Sequence, residues 1–281
     1  ARTSMGPSKN RQTTRTTPNR FITSVKNVCI VFLSVFIISN RNLIVRASQD
    51  PTTFNGGSAM AMAGDECVAL AVDKRFGCGP QTVNIAPRKV LTPHSHLMIA
   101  FTGLEGDIFT ISQELSLHIS EKFSSGLGFG FSNDDNDPST LKSRNKITPR
   151  AMSSLTSHLL YSRRSSPFYC EPLIIGLEKT VIPSSSSSRA AYRPFICAQD
   201  LIGAKSYARD FACSGVAEKS LYGTAEAMWR PGLTPQELVR VCGRAFLSGL
   251  ERDCLSGYGA VVYLMTKDGG IWEFELDCRN D

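Results

Sequence analysis

Two short apolar runs joined by a tight turn constrain this chain most. Ser58–Ala63 and Cys67–Asp73 read as strands, and the Gly64-Asp65 pair between them is the strongest short hairpin signal in the sequence. The same alternation of strand and helix patterns recurs downstream. Val90–Leu91 and His96–Thr102 predict a second hairpin around Pro93-His94-Ser95, and Leu104, Ile108, Ile111, Leu115 and Ile119 recur at helical spacing over about 104–123. Thr148 followed by Pro149 marks the start of a further helix with Met152, Leu155 and Leu159 on one face. Strands are expected near Leu173–Leu177, Phe195–Ala198, Lys205–Ala208 and Phe211–Ser214. A capping box, Thr234-Pro235-Gln236-Glu237, opens a long helix that runs to about Arg252. Gly259–Met265 and Gly270–Leu276 then close the chain as a hairpin around Asp268-Gly269. Hairpins on both sides of helix pairs predict an α+β layered sandwich, two stacked antiparallel sheets with helices outside them.

With 281 residues, 42% apolar and 20% charged, the chain can bury one full core with a tail left over. The net charge of +6 is confined to that tail. Residues 1–50 carry 8 Lys/Arg against 1 Asp, which leaves 23 Lys/Arg against 24 Asp/Glu in residues 51–281. No basic stripe interleaved with aromatics remains, so no nucleic-acid partner is expected. Nine scattered cysteines without a Cys-x-x-Cys pair predict buried reduced thiols, no disulfide and no zinc.

Residues 1–50 form a separate N-terminal extension, expected to be disordered and read as a removed leader or a gene-model artefact. The apolar run Cys29–Ser39 is too short to span a bilayer comfortably, so no membrane partner is expected, although basic residues ahead of it imitate a targeting signal. The domain proper is residues 51–281, with insertions at about 124–146 and 183–191. The first insertion joins Gly-Leu-Gly-Phe-Gly-Phe to an acidic stretch containing Asp134, Asp135 and Asp137, which lacks the spacing and terminal glutamate of a calcium loop. The second carries five consecutive serines and reads as a surface loop. His94-x-His96 has no acidic or cysteine partner at metal-ligand spacing, and Gly126-x-Gly128-x-Gly130 lacks the strand-to-helix context of a phosphate loop. Neither a metal nor another cofactor is expected.

The chemistry is carried by residues far apart in sequence. Gly56-Gly57-Ser58-Ala59-Met60-Ala61-Met62 is followed by Asp73, sixteen residues after Gly57, and by Lys89, sixteen residues after Asp73. Downstream stand Ser214-Gly215 and the run Arg252-Asp253-Cys254-Leu255-Ser256-Gly257. In this order the chain resembles the beta-type subunits of the 20S proteasome core particle, N-terminal nucleophile hydrolases, from about Pro51 to Asp281. The resemblance selects a four-layer αββα fold. In active members an N-terminal threonine sixteen residues before the aspartate supplies both the attacking hydroxyl and, through its free amine, the base. Gly57 stands there and has no hydroxyl, while Asp73, Lys89, Ser214, Asp253 and Ser256 match the remainder of the site.

The resemblance therefore implies a vestigial site in a non-catalytic subunit that walls the proteolytic chamber, with other alpha and beta subunits as partners in stacked heptameric rings. It also implies residence in cytoplasm and nucleus and a part in ubiquitin-dependent protein degradation. Asn55–Met62, Arg193–Cys197, Asp200–Gly203 and Leu221–Gly223 add to the likeness. The segment holding Asp200, Ala204 and Ser206 is implied to shape the substrate cleft of a neighbouring catalytic subunit, with Ala204 in place of a cysteine common in the family. The alternative is an active threonine or serine hydrolase processed at an unusual site. Ser58 lies one position late on a strand, which turns its side chain to the other face. Thr52 and Thr53 do not follow the glycine behind which the family is cleaved.

Overall fold

The computed structural model describes residues 50–85, 87–124, 147–182, 189–268 and 270–278. The expected extension, apart from Asp50, lies outside them, as do residues 125–146 and 183–188 of the two insertions. After a single 3₁₀ turn at Pro51–Thr53 come β1 (Phe54–Asn55), β2 (Ser58–Ala63), β3 (Cys67–Asp73), β4 (Phe76–Cys78), β5 (Gln81–Asn84), β6 (Val90–His94) and β7 (Leu97–Gly103). Helices α1 (Glu105–Ser124) and α2 (Pro149–Ser162) follow, then β8 (Cys170–Ile182), β9 (Arg189–Gln199), β10 (Lys205–Ala208) and β11 (Phe211–Gly215). Helices α3 (Glu218–Met228) and α4 (Pro235–Leu250) precede the closing strands β12 (Ala260–Thr266) and β13 (Ile271–Leu276).

Two antiparallel five-stranded sheets dominate. One has the order β11-β2-β3-β12-β13 and the other β10-β9-β8-β7-β6, and a small sheet β1-β4-β5 stands beside them. The alternation of side chains along β2 shows how the layers are held. Met60 and Met62 join Leu221, Leu238, Cys242 and Phe246 of α3 and α4, whereas Ala59, Ala61 and Ala63 face Met98, Leu173 and Ile175 of the other sheet. Small residues on that inner face let the sheets approach closely. On the far side of the second sheet, Leu97, Ile99, Phe101 and Ile174 pack against Ile108, Ile111 and Leu115 of α1 and Met152 and Leu160 of α2. Phe246 is fully buried, so truncating it to alanine would cost about 3–5 kcal/mol.

Local chemistry sets the helix starts. The Thr148 hydroxyl accepts from Ala151 N at 3.2 Å with Pro149 in the first turn, and Thr234 N donates to Glu237 Oε2 at 3.1 Å in a full capping box. The first hairpin has the expected bounds, but its left-handed residue is Glu66, at φ 51°, rather than a glycine. The Glu66 carboxylate receives Lys267 Nζ at 2.8 Å and Tyr192 N at 3.3 Å, tertiary anchors that offset the cost of that backbone conformation. The second hairpin turns later than expected, because Pro93 and His94 continue β6. That strand is at the sheet edge, where a proline displaces no ladder bond.

The structure differs from the sequence pattern in three places. Helix α3 has no side-chain cap and buries only Leu221 and Ala225, so its periodicity is faint. The sheet β1-β4-β5 has strands of two to four residues. Strands β8 and β9 are also much longer than expected, running to either side of the serine-rich segment as a ribbon paired from Leu173↔Ala198 to Ile182↔Arg189.

Candidate functional site

The buried polar side chains Ser58, Asp73, Arg75, Lys89, Thr102, Ser214 and Ser256 gather around one end of the sandwich. The hairpin register explains the first contact. Pairing of Ala59 with Val72 sets Ser58 opposite Asp73 and leaves Gly57 just beyond the ladder, beside the carboxylate. Lys89 precedes β6 of the other sheet, tied there by the Phe101 N to Lys89 O bond at 2.8 Å, so its side chain bridges the two sheets at this end.

Lys89 Nζ lies 2.5 Å from Asp73 Oδ1 and donates to Arg75 O at 2.7 Å. Asp73 also accepts from Ser58 N at 2.9 Å and Gly257 N at 3.2 Å. Both charged side chains are at most 3% exposed. Burial pushes the Asp73 carboxyl above its usual range, with the Lys89 charge and the hydrogen bonds from Lys89, Ser58 and Gly257 acting against it. Burial likewise pulls the Lys89 ammonium down, opposed chiefly by Asp73.

Gly57 has φ 77°. A Cβ placed on it would run into Asp73 Oδ1 and Lys89 Nζ, so the charged pair occupies the space that a side chain at this position would need. Nearby hydroxyls are engaged elsewhere. Ser58 Oγ is fully buried, accepts from Ala217 N at 2.9 Å and lies 2.9 Å from Ser256 Oγ. Ser256 Oγ donates to Asp253 Oδ2 at 2.6 Å, and Ser214 Oγ lies 2.7 Å from Thr102 Oγ1. Asp253 thus enters the site through Ser256 and Ser58. It also accepts from Leu255 N at 3.1 Å, and it forms no ion pair with Lys89.

Arg75 is the residue that sequence reasoning missed. Arg75 is 1% exposed, and its guanidinium donates to Thr82 Oγ1 at 3.1 Å, to Gly79 O at 2.9 Å and to Leu255 O. Through these bonds it clamps the turn after β4 to the Asp253–Gly257 run. A cation two residues past a strand-ending aspartate was the available signal.

Two grooves open at this end. One, of about 300 Å³, is lined by Thr52, Phe54, Gly57, Thr102 and Val216 among others. The second, of about 350 Å³, is lined by Asp200, Ala204, Ser206 and Ser214 and shares Glu171 and Glu218 with the first. Glu218 is raised above the usual carboxylate range by burial and then by the Glu171 charge. Asp200 Oδ1 accepts from Ile202 N at 3.0 Å and Ala204 N at 2.7 Å, holding the loop in which Gly203 adopts φ 82°. His94 ends β6 and bonds Ile147 O at 2.7 Å, and His96 lies in the turn, 3.1 Å from Lys267 O and stacked on Tyr192.

A family model described as "Proteasome subunit" matches residues 53–124 and 138–265, the spans that contain Gly57, Asp73, Lys89, Ser214 and the Asp253–Gly257 run. The chain belongs to the proteasome subunit family. It is 36% identical over 213 residues to "Proteasome subunit beta type-3-B" of Arabidopsis thaliana, covering 76% of this chain and 91% of the relative. It is 33% identical over 228 residues to "Proteasome subunit beta type-3" of Drosophila melanogaster, covering 81% and 98% of the two chains. To the protein of that name in Saccharomyces cerevisiae (strain ATCC 204508 / S288c) it is 33% identical over 232 residues, covering 83% and 99%. Assembly with other proteasome subunits follows from the family. In this proteasome subunit the matched segments flank residues 125–137, which coincide with much of the first insertion.

Proposed function

We propose that this proteasome subunit is a non-catalytic, beta type-3-like subunit of the 20S core particle with the four-layer αββα fold of N-terminal nucleophile hydrolases. It walls the proteolytic chamber, within stacked heptameric rings of alpha and beta subunits, in the cytoplasm and nucleus. The observation that carries this reading is Gly57. The residue in the nucleophile position has no hydroxyl, its backbone is left-handed, and Asp73 and Lys89 fill the volume that a threonine side chain would take. A lysine and carboxylate that would tune a nucleophile are bonded to one another and to the backbone instead.

The loop with Asp200, Ala204 and Ser206 is proposed to form part of a neighbouring subunit's substrate cleft. Asp200 acts there by fixing the loop's shape, since its Oδ1 atom is spent on the loop's own amides. The test is a purified particle treated with a covalent probe for N-terminal threonine. This subunit is expected to co-elute at several hundred kilodaltons and to remain unlabelled. A mass shift on its peptide containing Gly57 refutes the non-catalytic reading, and elution as a free chain refutes the core-particle reading.

A further inference from the structure

We infer that the outer face of the second sheet, beyond the start of α2, is an anion-recognition site built from Arg150, Arg193 and Arg209, and that it receives an acidic segment of a neighbouring proteasome subunit. A pocket of about 420 Å³ lies there. Its walls come from three places. Arg193 on β9 stands directly across from Glu178 on β8, Arg209 follows β10 one residue past the Ala208↔Ile196 pair, and Arg150 lies in the first turn of α2. The Pro149 ring sits against Gly176, where a Cβ would collide with it, which brings the positive end of α2 to the pocket rim.

Charge and geometry both favour an extended acidic ligand. Three guanidiniums face one carboxylate, Glu178, whose Oε1 is 3.6 Å from Arg150 Nε. Among the described residues Arg193 and Arg209 make no ion pair, although residues 51–281 as a whole are balanced at 23 Lys/Arg against 24 Asp/Glu. Exposed guanidiniums that share a pocket form the paired, planar donors that carboxylates accept best. The pocket is also more than a point charge site. Tyr207, 55% exposed and packed edge-on against Phe195 with ring centroids 5.8 Å apart, gives an apolar wall. Strand β10 ends its sheet, so its outer edge offers backbone donors and acceptors to an added strand. A peptide uses the wall and the edge; a free phosphate uses neither. The identity of the partner as a proteasome subunit rests on the core-particle reading above, but the site's chemistry does not.

Two measurements separate these. In the first, the full chain is titrated against a labelled Glu-Ser repeat peptide, followed by fluorescence anisotropy. Binding is expected to weaken steadily as sodium chloride is raised. The Arg193→Gln/Arg209→Gln double variant, both positions being exposed, is expected to bind about tenfold more weakly, and Glu178→Gln to bind more tightly, because it removes the one opposing charge. This opposite pair of signs keeps a folding defect from imitating the result. Equal affinity for a Gln-Ser peptide, or unchanged affinity in the double variant, overturns the site. Displacement of the peptide by equimolar inorganic phosphate, or equal affinity for a single-stranded oligonucleotide, overturns its assignment to acidic peptides. In the second measurement, a photocrosslinking residue at position 207 is expected to capture an Asp/Glu-containing segment of another subunit in the assembled particle. Capture of a segment without acidic residues overturns the partner. A chain that never enters a particle removes the core-particle reading and with it that partner, while the titration still decides the site.

Discussion

The charged cluster behind Gly57 and the arginine pocket at the start of α2 are opposite uses of the same kinds of side chain. Behind Gly57, Asp73 and Lys89 are out of water and each is bonded to the other and to backbone groups. At the pocket, Arg193 and Arg209 are exposed and make no ion pair among the described residues. Buried charges contribute chiefly through the penalty of separating them, whereas exposed charges contribute little until a partner removes their water. The first cluster therefore belongs to folding and assembly, and the second to recognition.

Removing one member of the buried pair tests that division most severely. Lys89→Ala is expected to destabilise the subunit by about 3–5 kcal/mol by stranding Asp73. It should lower the yield of assembled particle yet leave each peptidase activity per mole of particle unchanged. Loss of any one activity at normal yield would return the pair to a catalytic role. Gly57→Thr comes next. A β-branched residue at φ 77° costs about 1–2 kcal/mol in backbone strain alone, with the collision against Asp73 and Lys89 added. It should lower the melting temperature and restore no activity, since an uncleaved threonine has no free amine to act as base.

Ser256→Ala sharpens the boundary of the cluster. It leaves the buried Ser58 hydroxyl without one partner but spares the ion pair, so a loss of about 1–2 kcal/mol in denaturant titration is expected. A loss as large as that of Lys89→Ala would mean that Asp253 and Ser256 carry the pair after all.

The smallest effect concerns Glu218. A carboxyl raised in the folded state makes folding most favourable where it is protonated, at pH below its unfolded value, and that contribution is lost as pH rises through the folded value. Glu218→Gln should therefore raise the melting temperature slightly at neutral pH, the side chain being largely in water, and the gain should vanish in acid. A gain that persists in acid would exclude the ionisation as its source.

The layered α+β character and most element bounds were legible in the sequence because periodicity, capping and turn residues are local signals. Helix α3 was not, since without a cap and with two buried residues it is helical by virtue of what it packs against. At the candidate site the residue types and their sixteen-residue steps could be read directly, but the pairing could not. Asp253 matches the family's site in the sequence, and only the structure shows that it bonds Ser256 and not Lys89. Arg75 gave only the weak signal of its place after Asp73, because its acceptors are backbone carbonyls at Gly79 and Leu255 and a hydroxyl at Thr82. The arginine pocket was hidden for a similar reason. Its members come from α2, β9 and the end of β10, and only the cross-strand register assembles them.

The strand order β11-β2-β3-β12-β13 also fixes when the candidate site can exist during synthesis. Strands β6 to β10 follow one another in the chain and can pair as they emerge. Strand β3 cannot find its second neighbour until β12 has been made, and Gly257, which donates to Asp73, lies just before β12. Until then Asp73 is held by a sheet lacking two of its five strands. The buried charges are consequently sealed late in synthesis, after the second sheet has formed, long-range pairing being the slow step in folding such sheets. A ribosome-bound chain stopped before residue 257 should leave this end open to protease while the second sheet is already protected.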